Sequence, residues 1–329
     1  MSSSDFSLQM AHGDGLIDLS PLIKTNITLS FFSFFGSLTI ILLFIFRKRL
    51  RSFVFNLVVY LSVSELLKSI GNIMSIQKLY PLTHFSQIIC DTQAVIINYT
   101  DFCSLAWMCI ISYTIYDLMI NYNQDVCNKR PLFLVLGFGL PFVFTFVQAG
   151  IFYGSNPRSS MAEEKVDECW CWLYHMRDNW ITVLIFYIFF WILIIVNFIV
   201  IWQVIKVLKS CFDENDKFCK RIKKMVYKLY MYPLVTGFCF AFATVHRMYQ
   251  MFYIRSPNVT PTIEAYRLEV ILFLLHGMFI SIRGFIYFFL YGLDKKVKSE
   301  MRYLASIVYR CICRKNPTWF NLENYELAA

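Results

Sequence analysis

Residues 180–205 read WITVLIFYIFFWILIIVNFIVIWQVI, a stretch of 26 residues without one charged side chain. At about 1.5 Å per residue a helix of that length outspans the roughly 30 Å hydrocarbon core of a bilayer. Comparable apolar runs occur at 27–46, 53–75, 90–116, 131–152, 229–253 and 266–290, so the chain carries seven in all. They are unbroken and do not alternate, which argues for helices and against a membrane barrel. The composition agrees: 57% apolar, 18% aromatic and 16% charged residues, with a mean hydropathy of +0.52. A soluble fold carries about 25% charge and has too little polar surface to cover so much apolar material. The first run is too long and too late for a cleaved leader and reads as a signal-anchor span.

The expected fold class is therefore an all-α membrane protein, a seven-transmembrane-helix bundle followed by an amphipathic cytoplasmic eighth helix. The predicted organisation is an extracellular N-terminus over 1–26, a seven-span domain over 27–290, the amphipathic helix over 291–313 and a tail over 314–329. Within 291–313, Leu293, Val297, Met301, Leu304, Val308 and Ile312 recur every three or four residues while basic residues fill most of the other faces. That pattern places the segment in the plane of the interface. Cys311 and Cys313 at its end are palmitoylation candidates.

Orientation follows from basic residues near the span ends. By the alternation of spans, 21 of the 31 Lys and Arg residues fall on one face, seven on the other and three within spans. The first connection holds Arg47, Lys48, Arg49 and Arg51, and the fifth-to-sixth connection holds eight basic residues. The N-terminus is thus expected outside and the C-terminus in the cytosol, with the plasma membrane as the location. The net charge of +9 reads as topology signal and contact with anionic membrane lipid, not as a nucleic-acid footprint.

The short loops hold no P-loop, GxSxG, HExxH or strand-borne GxGxxG pattern, and the five His lack metal-ligand spacing. The expectation is no enzyme, no cofactor and no metal. The last span lacks the lysine a retinal Schiff base needs. That leaves a receptor first, and a seven-span transporter or channel as the alternative.

Charged residues inside the spans carry the functional reading. Glu65, Lys68, Asp101, Arg247 and Arg283 all lie there, with His246 and His276. Facing lipid at midplane, each charge costs about 2.5–3.5 kcal/mol and the five together on the order of 15 kcal/mol. They must face the interior and find partners. Glu65 and Lys68, three apart, can pair on one helix face. Glu65 with Arg283 and Lys68 make a candidate polar switch, and Asp101 near Arg247 a candidate floor or wall of a ligand pocket. His276 shares a helix face with Arg283 and joins the ligand-binding candidates. Of the cysteines outside, Cys90 opens the third span, and Cys171 or Cys169 is positioned to bridge to it and tether the second outer loop. Trp172 beside that bridge is a candidate lid, with packing around the bridge as the competing role. The sequons at Asn26, Asn98 and Asn258 are poor glycosylation sites, Asn98 because it lies inside the third span.

The run Leu50-Arg51-Ser52-Phe53-Val54-Phe55-Asn56-Leu57-Val58-Val59-Tyr60-Leu61-Ser62-Val63-Ser64-Glu65 resembles the first-loop and second-helix pattern of the cyclic-AMP-receptor-like G-protein-coupled receptors. These comprise the slime-mould chemoattractant receptors and their plant and protist relatives. Trp170-Cys171-Trp172, Cys90 with Gln93, Tyr232-Pro233-Leu234 before Arg247, and Ile286-Tyr287 with Tyr291-Gly292 are similar to later parts of the same family. The resemblance spans roughly 30–295. It implies a receptor that binds an extracellular small molecule, anionic or cyclic-nucleotide-like, and activates a cytoplasmic heterotrimeric G protein.

Overall fold

In the computed structural model the described residues are 9–10, 17–18, 20–50, 53–79, 86–121, 124–155, 171, 180–210, 217–254, 262–292 and 297–302. Seven helices are long and apolar enough to cross a membrane, and the chain is a multi-pass membrane protein. Helix α1 is Ser20–Phe46, α2 Phe53–Ile73 and α3 Ser86–Met119. Helix α4 runs from Arg130 to Ser155. Next come α5, Trp180–Ser210, α6, Lys217–Tyr249 prolonged by the wide turn Gln250–Ile254, and α7, Ile263–Gly292. A short helix α8 covers 297–302. Two residue pairs near the N-terminus, Gln9–Met10 and Ile17–Asp18, meet antiparallel.

The helices outrun the apolar stretches, because a helix continues beyond the hydrocarbon wherever nothing stops it. Helix α1 thus starts at Ser20 and not at 27, with Pro21 near its first turn, where a missing N–H costs nothing. Helix α4 is interrupted by a π-helical turn over Val135–Gly139. Pro141 follows at once, and its ring cannot accept the regular turn against the carbonyl four residues back. In that turn Gly137 faces the Trp107 indole so closely that a Cβ would fall on the ring. Glycine is what lets α4 close on α3.

Helix α3 is central, packing against α2, α4, α5 and α6, while α1 lies along α2 and α7. The α1–α7 seam is built of small residues. Ser33 and Ser37 face Gly284, and Asn26 faces Gly277, as close backbone approach in lipid requires. Large apolar side chains on α1, α4 and α5 point outward, among them Phe35, Phe146 and Ile192. The polar ones are inside, which is the inversion a lipid solvent produces. Two apolar clusters close the bundle. One, around Cys90, Cys171, Tyr187 and Phe240, marks the disulfide end. The other, around Phe55, Trp107, Val226, Tyr232 and Val297, marks the basic end. Here α8 is tied down by an ion pair between Arg47 and Glu300.

Of the eighth helix expected over 291–313, residues 291–292 belong to the end of α7 and 297–302 form α8; Cys311 and Cys313 lie outside the described residues, as do Trp172, Cys169 and Asn258. Asn26 and Asn98 are buried inside helices.

Candidate functional site

Four charges meet between the two apolar clusters. Helices α2 and α3 run antiparallel, and their register sets Lys68 opposite Asp101 and Glu65 opposite Ser104, one turn apart. Lys68 Nζ donates to Asp101 Oδ1. Ser104 Oγ donates to Glu65 Oε1 at 2.8 Å. Arg283 enters from α7, where Gly284 beside it allows close approach to α1 and to the Glu65 side chain. Its Nε donates to Glu65 Oε1 at 2.9 Å, and its Nη2 lies 2.7 Å from the same oxygen. Nη2 also reaches Asp101 Oδ1 at 3.3 Å and Ser104 Oγ at 3.2 Å. Phe240 of α6 roofs the cluster, its ring centroid 5.3 Å from the Arg283 guanidinium carbon and 5.7 Å from Lys68 Nζ. All four charged residues are buried. Two cations and two carboxylates balance, which is how four charges survive out of water.

Spacing allowed Glu65 to pair with Lys68 along α2, and the switch reading set Glu65 near Arg283; the structure pairs Glu65 with Arg283 and not with Lys68. Each partner instead takes an opposite charge across a helix interface: Glu65 takes Arg283, and Lys68 takes Asp101. The reason is the register. Lys68 is level with Asp101, whereas Glu65 is a turn deeper and level with Ser104 and Arg283.

Toward the disulfide end lies a small cavity. Asp101 and Phe240 form its base, with Arg247, His276, Tyr187 and Asn72 among its walls. Arg247 was expected beside Asp101; both border this cavity, but Asp101 is held by Lys68 and Arg283, and Arg247 Nη1 donates to Gln250 Oε1 at 2.9 Å. Gln250 Nε2 in turn donates to Glu269 Oε1 at 3.2 Å. His276 Nδ1 lies 2.9 Å from His246 Nδ1, and the His246 ring sits edge-on to Phe273. These contacts join the outer halves of α6 and α7 in a polar ladder.

Cys90 and Cys171 are disulfide-bonded. Gln93 stabilises the joint. Its Oε1 accepts the Cys171 N–H at 3.2 Å, and its Nε2 donates to Ser75 Oγ at 2.7 Å and to the Gly71 carbonyl at 2.9 Å. The bridge, α3 and the end of α2 are thereby one unit above the cavity. At the basic end Asp117 of α3 is buried and accepts from Asn121 at 2.9 Å and from Lys129 at 3.2 Å. Lys129 also donates to the Tyr113 hydroxyl at 2.9 Å, and that hydrogen bond, then the one to Asp117, raises its pKa.

Sequence reasoning missed Ser104, Phe240, Gln250 and Glu269. Ser104 follows from the α2–α3 register once Lys68–Asp101 is assumed. Gln250 and Glu269 lie at span edges, where polar residues raise no alarm. Nothing in the sequence marks Phe240 among 33 phenylalanines.

Residues 19–280 match the family described as "7 transmembrane receptor (Secretin family)". The chain is also 28% identical over 254 residues to "G-protein coupled receptor 1" of Arabidopsis thaliana, an alignment covering 74% of this chain and 73% of that protein.

Proposed function

This chain belongs to the Secretin family of seven-transmembrane receptors, a family of non-catalytic signalling proteins, and from that premise we propose how it signals. A small extracellular molecule enters the cavity from the disulfide end, and a heterotrimeric G protein responds at the basic end. The excess of Lys and Arg at the α5–α6 connection and beyond α7 supports a cytosolic basic end, and the Cys90–Cys171 bridge suits the oxidising outside of the plasma membrane. The kinship with cyclic-AMP-receptor-like receptors belongs to this reading, and the plant G-protein-coupled receptor it resembles is consistent with it.

One observation carries the proposal. The base of the cavity is made of Asp101, itself one of the four clustered charges, and Phe240, the ring that roofs them. A ligand that draws on Asp101 or shifts Phe240 changes what Lys68 and Arg283 must pair with. Arg283 Nη1 is buried and has no hydrogen-bond partner among the described residues, so a donor stands ready for a rearranged set. Two discrete sets of ion pairs, biased by ligand, make a two-state element. Arg247 suits an anionic ligand group, and cyclic nucleotides belong in the first panel tried.

The test is nucleotide exchange on a co-expressed G protein, with a small-molecule panel, in membranes carrying the native chain or Arg247→Ala. The expected result is a response that Arg247→Ala abolishes at unchanged surface expression. An unchanged dose–response would remove Arg247 from the ligand site.

A further inference from the structure

The five histidines have no metal-ligand spacing along the chain, yet the fold brings one pair together. His246 of α6 and His276 of α7 face each other, Nδ1 to Nδ1, at 2.9 Å. One ring donates its Nδ1 proton and the other accepts it. Both residues are buried. The ring centroids are 5.1 Å apart and the planes are inclined at 54°, so the rings meet through their nitrogens and not by stacking. Phe273 packs edge-on against His246 and steadies that ring from the side. His276 also lines the cavity, with Asp101, Arg247 and Asn72. Among the described residues no third histidine, cysteine or carboxylate joins the pair to close a metal cage. Any further donor therefore comes from the cavity.

We propose that His246 and His276 form a zinc site that bridges α6 and α7 and stays open to the cavity. Neutral imidazole is the commonest metal ligand in proteins, and here two face one point from different helices. Two Zn–N bonds of about 2.0–2.1 Å at a tetrahedral angle set the nitrogens about 3.3–3.4 Å apart. From 2.9 Å the pair has to part by only about 0.4–0.5 Å to admit the ion. The proton between the rings moves to Nε2 of the ring that carried it, so both imidazoles stay neutral and no proton is lost. Tetrahedral zinc held by two protein nitrogens keeps two positions for cavity water. Charge sets how tightly the ion is held. Arg247 borders the same cavity and opposes a dication. Asp101 favours one but is already shared by Lys68 and Arg283, and Glu269 accepts from Gln250. Arg247 therefore weakens the site, and removing its charge should tighten it. The bridge needs neither ligand nor G protein, so the receptor reading stands or falls separately.

The test is Zn²⁺ binding by the full chain in detergent micelles, measured by competition with a fluorescent zinc chelator, with X-ray absorption at the zinc edge for the ligand shell. At one equivalent of zinc the native chain should show only nitrogen and oxygen neighbours at about 2.0–2.1 Å, and no sulfur at about 2.3 Å. His246→Gln and His276→Gln should each weaken binding about tenfold or more, since each removes one of two protein ligands. Changing His12, His84 and His175 together to Gln should alter it less than about twofold, as residues outside the pair. Arg247→Gln should tighten it about threefold or more by removing the opposing charge. Native affinity should fall on acidification, because protons compete for the same lone pairs. A sulfur shell at one equivalent, native affinity in both single His variants, or binding no tighter in Arg247→Gln would each overturn the proposal. The absorption spectrum needs no variant to fold.

Discussion

Replacing Arg283 by Gln removes the cation that serves both carboxylates of the cluster. The guanidinium donates to Glu65 from Nε at 2.9 Å, holds Nη2 2.7 Å from the same oxygen, and reaches Asp101 at 3.3 Å. Without it Glu65 and Asp101 share Lys68 alone, and the buried group carries a net negative charge. Breaking a buried pair by removing one partner costs about 3–5 kcal/mol, mostly the penalty of the charge left behind. Glu65→Gln alone leaves the opposite imbalance, two cations against Asp101, and costs a comparable amount. Combined, the two changes restore neutrality, because Lys68 and Asp101 remain paired and Ser104 still faces the residue 65 amide. The double variant should therefore recover about 2–3 kcal/mol of the summed losses. The assay is unfolding of the purified chain in mixed micelles by detergent titration, for the native protein, both single variants and the double variant. Additivity within about 0.5 kcal/mol, or an Arg283→Gln cost under about 1 kcal/mol, would refute the reasoning, since neither is compatible with four mutually dependent charges.

Cys90→Ser and Cys171→Ser should each destabilise the fold by about 2–5 kcal/mol with no further loss when combined, and Cys169→Ser should leave stability unchanged; peptide mapping without reductant checks the pairing. Gly137→Val should cost about 1–3 kcal/mol or more by driving a side chain into the Trp107 ring, whereas Gly139→Val, whose Cβ meets nothing nearer than Val135 at 3.7 Å, should be tolerated better; equal unfolding midpoints would count against the α3–α4 packing described. Lys129, whose hydrogen bonds to Tyr113 and Asp117 raise its pKa, should keep its contact at neutral pH and lose it only as pH rises through the raised value. NMR of the ¹³C-methylated lysines should show that titration moving down in Asp117→Asn; an unmoved midpoint would mean the contact does not hold in solution.

The spans and the fold class were legible because a bilayer imposes length and composition directly on sequence. The buried charges were legible for the same reason: in lipid a charge is too costly to be incidental, so Glu65, Lys68, Asp101, Arg247 and Arg283 stood out one by one. Their pairing was only half legible. The Glu65–Arg283 contact follows from sign and depth, but the Lys68–Asp101 contact depends on the α2–α3 register, which spacing along α2 alone does not give. Neutral groups were the least legible. Phe240 and Ser104 look like any other apolar or small residue in a span, and Gln250 lies in the wide turn that prolongs α6. The wide turn in α4 was partly legible, because Gly137, Gly139 and Pro141 signal a bend without saying that its form is a π-helical turn.

In the proposed mechanism a cavity and a charge cluster that share Asp101 and Phe240 couple ligand to signalling. The most direct test of this mechanism is guanine-nucleotide exchange on a heterotrimeric G protein in vesicles carrying the native chain or Glu65→Ala, with solute flux followed in the same vesicles. Exchange, basal or ligand-driven, is expected with the native chain, with its loss in Glu65→Ala at equal protein level and no flux. Flux through the native chain without exchange on any G protein would contradict it and assign the same buried charges to a translocation path.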